Sequence, residues 1–148
     1  MNAVPSLRNV SRRFGGLLAV NALEFDLVEH EVLGLIGPNG SGKSTTLNLI
    51  SGALAPTAGS ISLRGVPITH LSAHEIARRG VARTFQLVRL LPSMSVLENV
   101  MAGAVFGHRR RWGHDAEAYA ENMLAKVGLA RRGHMRVGQL TYIDTKLV

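Results

Sequence analysis

Two short stretches of the chain alternate apolar and polar residues with a period of two. Leu23, Phe25 and Leu27 are spaced by Glu24 and Asp26, while Ile61 and Leu63 lie among Ser60, Ser62 and Arg64. This is the pattern of strands with one buried face, and it predicts antiparallel hairpins. Residues 32–36 read differently. Val32, Leu33, Leu35 and Ile36 are almost continuous, as in a parallel strand covered on both sides. Beyond residue 44 the period lengthens, and Leu47, Ile50 and Leu54 recur at helical spacing. Ser72 and Glu75 have the spacing of a capping box, with Leu71 and Ile76 as its hydrophobic staple and Gly80 as the stop, which predicts a short helix over 73–79. Residues 81–85 then read as another strand, ending at Gln86. Ser95 with Glu98 opens a second helix whose face carries Val96, Val100 and Ala104, and a third is traced by Ala116, Tyr119, Met123, Leu124 and Val127 before Gly128. The pattern divides the chain into a mixed strand and helix region, 1–86, and a helical region, 87–148, with no internal repeat.

Between the apolar run and the first helical stretch stands Gly37-Pro38-Asn39-Gly40-Ser41-Gly42-Lys43-Ser44-Thr45, a complete G-x-x-x-x-G-K-[ST] loop. Its glycines free the backbone to wrap phosphate oxygens with N–H groups, and the helix that follows points its positive end at them. Lys43 is placed to reach the terminal phosphates, and the Ser44 hydroxyl to ligate Mg²⁺. A strand, this loop and a helix in that order predict an α/β domain that holds a nucleoside triphosphate.

Composition narrows the remaining classes. With 148 residues, 46% hydrophobic and 18% charged, the chain is one ordinary globular domain rather than a disordered or fibrous one. It has no cysteine, which removes disulfides and zinc–thiolate sites. The N-terminus lacks a secretory leader pattern, and no apolar run is long enough for a membrane span. The net charge of +7 includes a local cluster, Arg109, Arg110 and Arg111, beside Trp112 and between His108 and His114. Such a cluster suits nucleic acid or an anionic lipid surface, or it is a solvated basic loop; it is too short for the long stripe of a duplex binder. His70 and His74 are four apart with no third ligand, and Ser41 and Ser44 have no His/Asp partners, so neither pair predicts a metal or nucleophile site.

In order along the chain, these motifs resemble the nucleotide-binding subunit of an ABC transporter. The resemblance runs to about Leu140. It implies a P-loop NTPase core of the ABC type with a small antiparallel flank and part of a helical subdomain. Phe14, in Arg12-Arg13-Phe14-Gly15-Gly16, falls where the family has an aromatic that stacks on adenine. Gln86, in Ala82-Arg83-Thr84-Phe85-Gln86, matches the family's glutamine that meets Mg²⁺ and the attacking water and relays to the membrane subunit. The wording Leu91-Pro92-Ser93-Met94-Ser95-Val96-Leu97-Glu98-Asn99-Val100, with Phe14-Gly15-Gly16-Leu17 earlier, is most similar to importers of branched-chain amino acids. The resemblance thus implies MgATP as ligand and a second ATPase subunit docked head to tail. It also implies transmembrane permease subunits at the cytoplasmic face of the plasma membrane, served by a substrate-binding protein.

Two departures from the family follow. Its signature, Leu-Ser-Gly-Gly-Gln, appears as Leu140-Thr141-Tyr142-Ile143-Asp144, with Ile143 where the second glycine lets a helix start approach the opposite subunit's phosphate. The family's Walker B aspartate, catalytic glutamate and switch histidine do not follow within the sequence, so the chain is expected to be a truncated form that does not hydrolyse ATP alone. Two other readings stay open. One is a truncated or frame-shifted remnant that only binds nucleotide; the other is a different P-loop ATPase or kinase acting on nucleic acid, against which Gln86 and the helical segment after it argue.

Overall fold

The computed structural model describes residues 3–85 and 88–148. It resolves two compact units, Met1–Ala77 and Arg78–Val148. In the first, β1 (Ala3–Phe14) runs back into β2 (Leu17–Val28) through Gly15-Gly16, then come α1 (Lys43–Ile50), β3 (Ala58–Leu63), β4 (Val66–Pro67) and α2 (Ala73–Arg78), which reaches the boundary. The four strands form one antiparallel sheet in the order β2-β1-β3-β4. Leu7 pairs with Phe25 on one side and Ile61 on the other, so the residues of the period-two pattern line up across the sheet. Leu7, Val10, Val20, Ile61 and Leu63 are buried from the sheet, and Leu49, Ile68 and Ile76 complete this core. Fully burying side chains of this size contributes roughly 1.5–3 kcal/mol each.

Bulges let β1 bend without losing its partners. Where the β1/β2 register shifts, the Ser11 hydroxyl accepts a hydrogen bond from the Ala22 N–H at 2.8 Å in place of a ladder carbonyl. On the β3 side Gly59 has φ 83, and a Cβ there would lie 2.3 Å from the Asn9 carbonyl oxygen. Only glycine lets the two backbones come so close.

Two predicted strands are absent from this architecture. Residues 32–36 and 81–85 belong to no strand, and among the described residues they pair with none. Val32 is 96% and Ile36 97% exposed, the reverse of the two-sided burial their apolar run predicts. The reason is that a parallel strand has no internal hydrogen bonds and needs neighbours for its backbone groups. α1 also buries a face shifted from the predicted one: Thr46 and Leu49 are its buried residues, while Leu47 stays exposed.

The second unit is helical. α3 (Val96–Phe106) and α4 (Gly113–Lys126) pack together, followed by 3₁₀ turns at Ala130–Arg132 and Val137–Gln139 and a short α5 (Tyr142–Thr145). Val96, Leu124 and Leu129 form its core, with Leu97, Val100, Met135 and Leu140 against them. The predicted capping box at α3 is formed: Ser95 N–H donates to the Glu98 carboxylate at 2.6 Å, and Glu98 N–H donates to the Ser95 hydroxyl at 3.2 Å. α4 turns a narrower stripe inward than its sequence suggests. Ala116, Ala120 and Leu124 are buried, and the larger Tyr119 remains partly exposed.

Candidate functional site

The glycine-rich loop leads directly into α1. Gly37, Gly40 and Gly42 have φ values of 158, 85 and 88, and Gly42 is the residue that starts the helix. A Cβ at Gly42 would sit 2.6 Å from the Ala19 carbonyl oxygen, so β2 presses against the point where loop becomes helix. This contact fixes the loop's end on the sheet, and only a glycine accommodates both the left-handed backbone and the close approach. No side chain caps α1, and its first turn carries no acid. The positive end of α1 is therefore not neutralised by the chain itself.

Lys43 lies in that first turn and folds over its own loop. Its ammonium donates to the carbonyl oxygens of Gly37 at 2.6 Å and Pro38 at 2.7 Å, and to the Ser41 hydroxyl at 3.3 Å. The Ser41 N–H in turn donates to Pro38 O at 3.2 Å, closing the turn through Asn39-Gly40. The loop is open to solvent, with Gly37, Pro38, Asn39, Gly40 and Ser41 all exposed. Ser44, next to Lys43, is exposed as well, and Thr45 is half-buried. An exposed run of glycines, a cation held over it and an uncapped helix start suit a polyanionic phosphate chain.

Phe14 stands at the end of β1, paired with Leu17. Leu17 precedes by two residues the Ala19 carbonyl that meets Gly42, about 7 Å of strand. The sheet thus brings Phe14 to the end of the hairpin that touches the loop. It is 42% exposed, and the Arg12 guanidinium lies 4.6 Å from its ring centroid. Arg12 is anchored by donating to Ala55 O at 2.7 Å. Its place beside Phe14 was legible, because residues two apart share a face of a strand; the Ala19 contact with Gly42 carries no such signal. Gln86 lies outside the described residues.

The segment in which the signature is expected is built around Thr141. Its hydroxyl donates to the Asp144 carboxylate at 2.5 Å and accepts from the Asp144 N–H at 3.2 Å, and Asp144 also pairs with Arg132. The Thr141 hydrogen bond foremost, then the backbone bond and Arg132, hold the Asp144 carboxyl below its ordinary range against the opposing effect of burial. Tyr142 and Ile143 are exposed at the start of α5. The His74 ring is hydrogen-bonded to the Ser72 hydroxyl at 2.9 Å.

The family model for ABC transporters matches residues 20–143, which takes in the loop and the greater part of each unit. The chain belongs to the ABC transporter family. Within it, the chain is 40% identical to BraF of Pseudomonas aeruginosa, a high-affinity branched-chain amino acid transport ATP-binding protein, over 90% of this chain and 57% of BraF. It is 38% identical to LivG of Escherichia coli, described in the same terms, over 95% of this chain and 60% of LivG. The chain thus spans under two thirds of the length of these curated relatives. Among solved structures it resembles MJ1267, an ATP-binding cassette of an ABC transporter, with a TM-score of 0.85 and 27% identity over 99% of this chain and 62% of that one. It also resembles the dimeric structure of MJ0796, a bacterial ABC transporter cassette, with a TM-score of 0.84 and 25% identity over 97% of this chain and 66% of that one. These ABC cassettes give the chain an α/β P-loop fold. Among the described residues no helix is long and apolar enough to cross a membrane.

Proposed function

We propose that this chain supplies the nucleotide cradle of an ABC importer's ATP-binding subunit, with branched-chain amino acids as the transported class. The observation that carries the reading is the Lys43 ammonium, held 2.6 and 2.7 Å from the Gly37 and Pro38 carbonyls at the mouth of an open glycine loop. Phosphate oxygens offer that ammonium charged acceptors in place of neutral carbonyls, and charge-assisted hydrogen bonds are about twice as strong. The backbone of residues 37–42 and the start of α1 would hold the β- and γ-phosphates, Ser44 and Gln86 would ligate Mg²⁺, and Phe14 would stack on adenine. Bound MgATP supplies the phosphoryl group whose transfer to water drives transport. The protein's part is to fix the phosphates and neutralise their charge.

The names of BraF and LivG support the solute class, and the MJ0796 dimer supports a second ATPase subunit as partner. Permease subunits and a substrate-binding protein complete the proposed assembly, at the cytoplasmic face of the plasma membrane. Ile143 puts an exposed β-branched side chain where the family's signature has glycine. That side chain favours binding without turnover as the second reading.

Titration with a fluorescent ATP analogue tests the cradle. Lys43→Ala removes a contact of about 1.5–3 kcal/mol, so affinity is expected to fall roughly 10- to 100-fold. Equal affinities for the parent and the variant would dismiss the reading.

A further inference from the structure

The junction between α3 and α4 gathers basic and aromatic side chains, and it lies apart from the glycine loop in sequence. α3 ends at Phe106 and α4 begins at Gly113, and the loop between them holds His108, Arg109, Arg110, Arg111 and Trp112. Phe106 is 71% exposed and Trp112 66%, so a large aromatic stands open at each end of the run of cations. We propose that this junction binds the anionic headgroups of a lipid bilayer directly. The proposal is independent of the nucleotide reading.

The loop is held in shape from within, which leaves part of it free to bind. The Arg111 guanidinium donates to both oxygens of Asp115 at 2.8 and 3.0 Å and lies 4.4 Å from the Tyr119 ring centroid. The Arg111 N–H donates to Ala104 O at 3.1 Å, and the His108 ring is bonded to the Arg78 carbonyl at 2.5 Å. Arg109 and Arg110 are exposed instead, and neither has a carboxylate partner among the described residues. Arg110 holds a left-handed conformation, φ 44, at the tip of the loop. Beside it opens a cavity of about 280 Å³ lined by Gly103, Gly107, His108, Arg109, Arg111 and Tyr119. Gly80, Gly103 and Gly107 line it without side chains, and the guanidinium of Arg109 suits a lipid phosphate.

The chemistry favours a bilayer over nucleic acid. Tryptophan and phenylalanine beside arginine match the boundary of a membrane, where rings lie at headgroup level and cations meet anionic lipid. A nucleic acid strand would extend past so short a cluster, and along α4 it would meet Glu117 and Glu121, which repel phosphate.

Flotation of the 148-residue chain with vesicles decides the matter, because aggregated protein does not float. Vesicles of equal phosphatidylglycerol and phosphatidylcholine are expected to carry the chain upward, and pure phosphatidylcholine vesicles are not. Trp112 is the sole tryptophan, so its emission should shift to the blue and be quenched by brominated lipid only with the anionic vesicles. Each arginine near an anionic surface strengthens binding about fivefold, so Arg109→Ala with Arg110→Ala should lower partitioning on the order of 25-fold. The corresponding double lysine variant should keep most of it, and unchanged circular dichroism melts would show that both variants fold. Three results would overturn the proposal: no Trp112 shift with anionic vesicles, equal partitioning of the alanine variant, or a larger Trp112 response to a DNA duplex at the same phosphate concentration.

Discussion

Single residues set the terms of the site. Lys43 is already gathered at the loop, where its carbonyl partners are neutral. Phe14 is the residue whose role rests most on placement. It lies at the hairpin end nearest Gly42 with one guanidinium stacked on it, and a ring so placed offers an apolar surface to a base. Phe14→Ala is expected to weaken adenine nucleotides by roughly 1 kcal/mol or more while leaving inorganic triphosphate binding unchanged, since a stacked ring contributes ~1–3 kcal/mol per base. Competition titrations with ATP and triphosphate measure both; equal losses would remove Phe14 from the base site. The loop stood out in the sequence because Gly37, Gly42, Lys43 and Ser44 fill the fixed positions of a phosphate-binding pattern. Arg12 was not singled out, although its spacing from Phe14 carried the signal.

At the scale of elements, helix boundaries followed local chemistry closely. α3 begins where Ser95 and Glu98 reciprocate, and Asn99 ties the preceding loop by accepting from Leu91 N–H at 2.7 Å and donating to Ser95 O at 2.8 Å. The Ser95 backbone N–H foremost, then its hydroxyl and Arg136, hold the Glu98 carboxyl below its ordinary value. A carboxyl lowered on folding adds stability above its unfolded pKa, about 4.3, and loses it as pH falls through the lower folded value. Glu98→Gln is therefore expected to lower the melting temperature at pH 7, with the difference closing below about pH 4. A difference independent of pH would show that the charge of Glu98 plays no part. Ser95→Ala should destabilise by about 1 kcal/mol. The strands predicted over 32–36 and 81–85 failed because an apolar run states that burial is needed, not what supplies it.

For the whole molecule, that unmet need has a consequence. Val32 and Ile36 expose nearly their full surface in a segment that no strand among the described residues pairs. An uncovered apolar segment of this kind favours association between copies. Ile36→Lys places a charge in it, and light scattering during concentration is expected to show less association than in the parent. Unchanged scattering would mean that the segment is protected in solution.

The sequence by itself determined the local devices: the phosphate loop, the capping box at α3, the period-two strands and the membership in an ABC-type α/β class. Each depends on a few neighbouring residues whose spacing is fixed by backbone geometry. Only the tertiary structure decided that β1 sits between β2 and β3, that Ala19 presses on Gly42, that small alanines rather than Tyr119 face inward on α4, and that residues 32–36 stand uncovered. These outcomes depend on which distant backbone and side-chain groups meet, and hydrophobic pattern fixes a face without naming the partner that covers it.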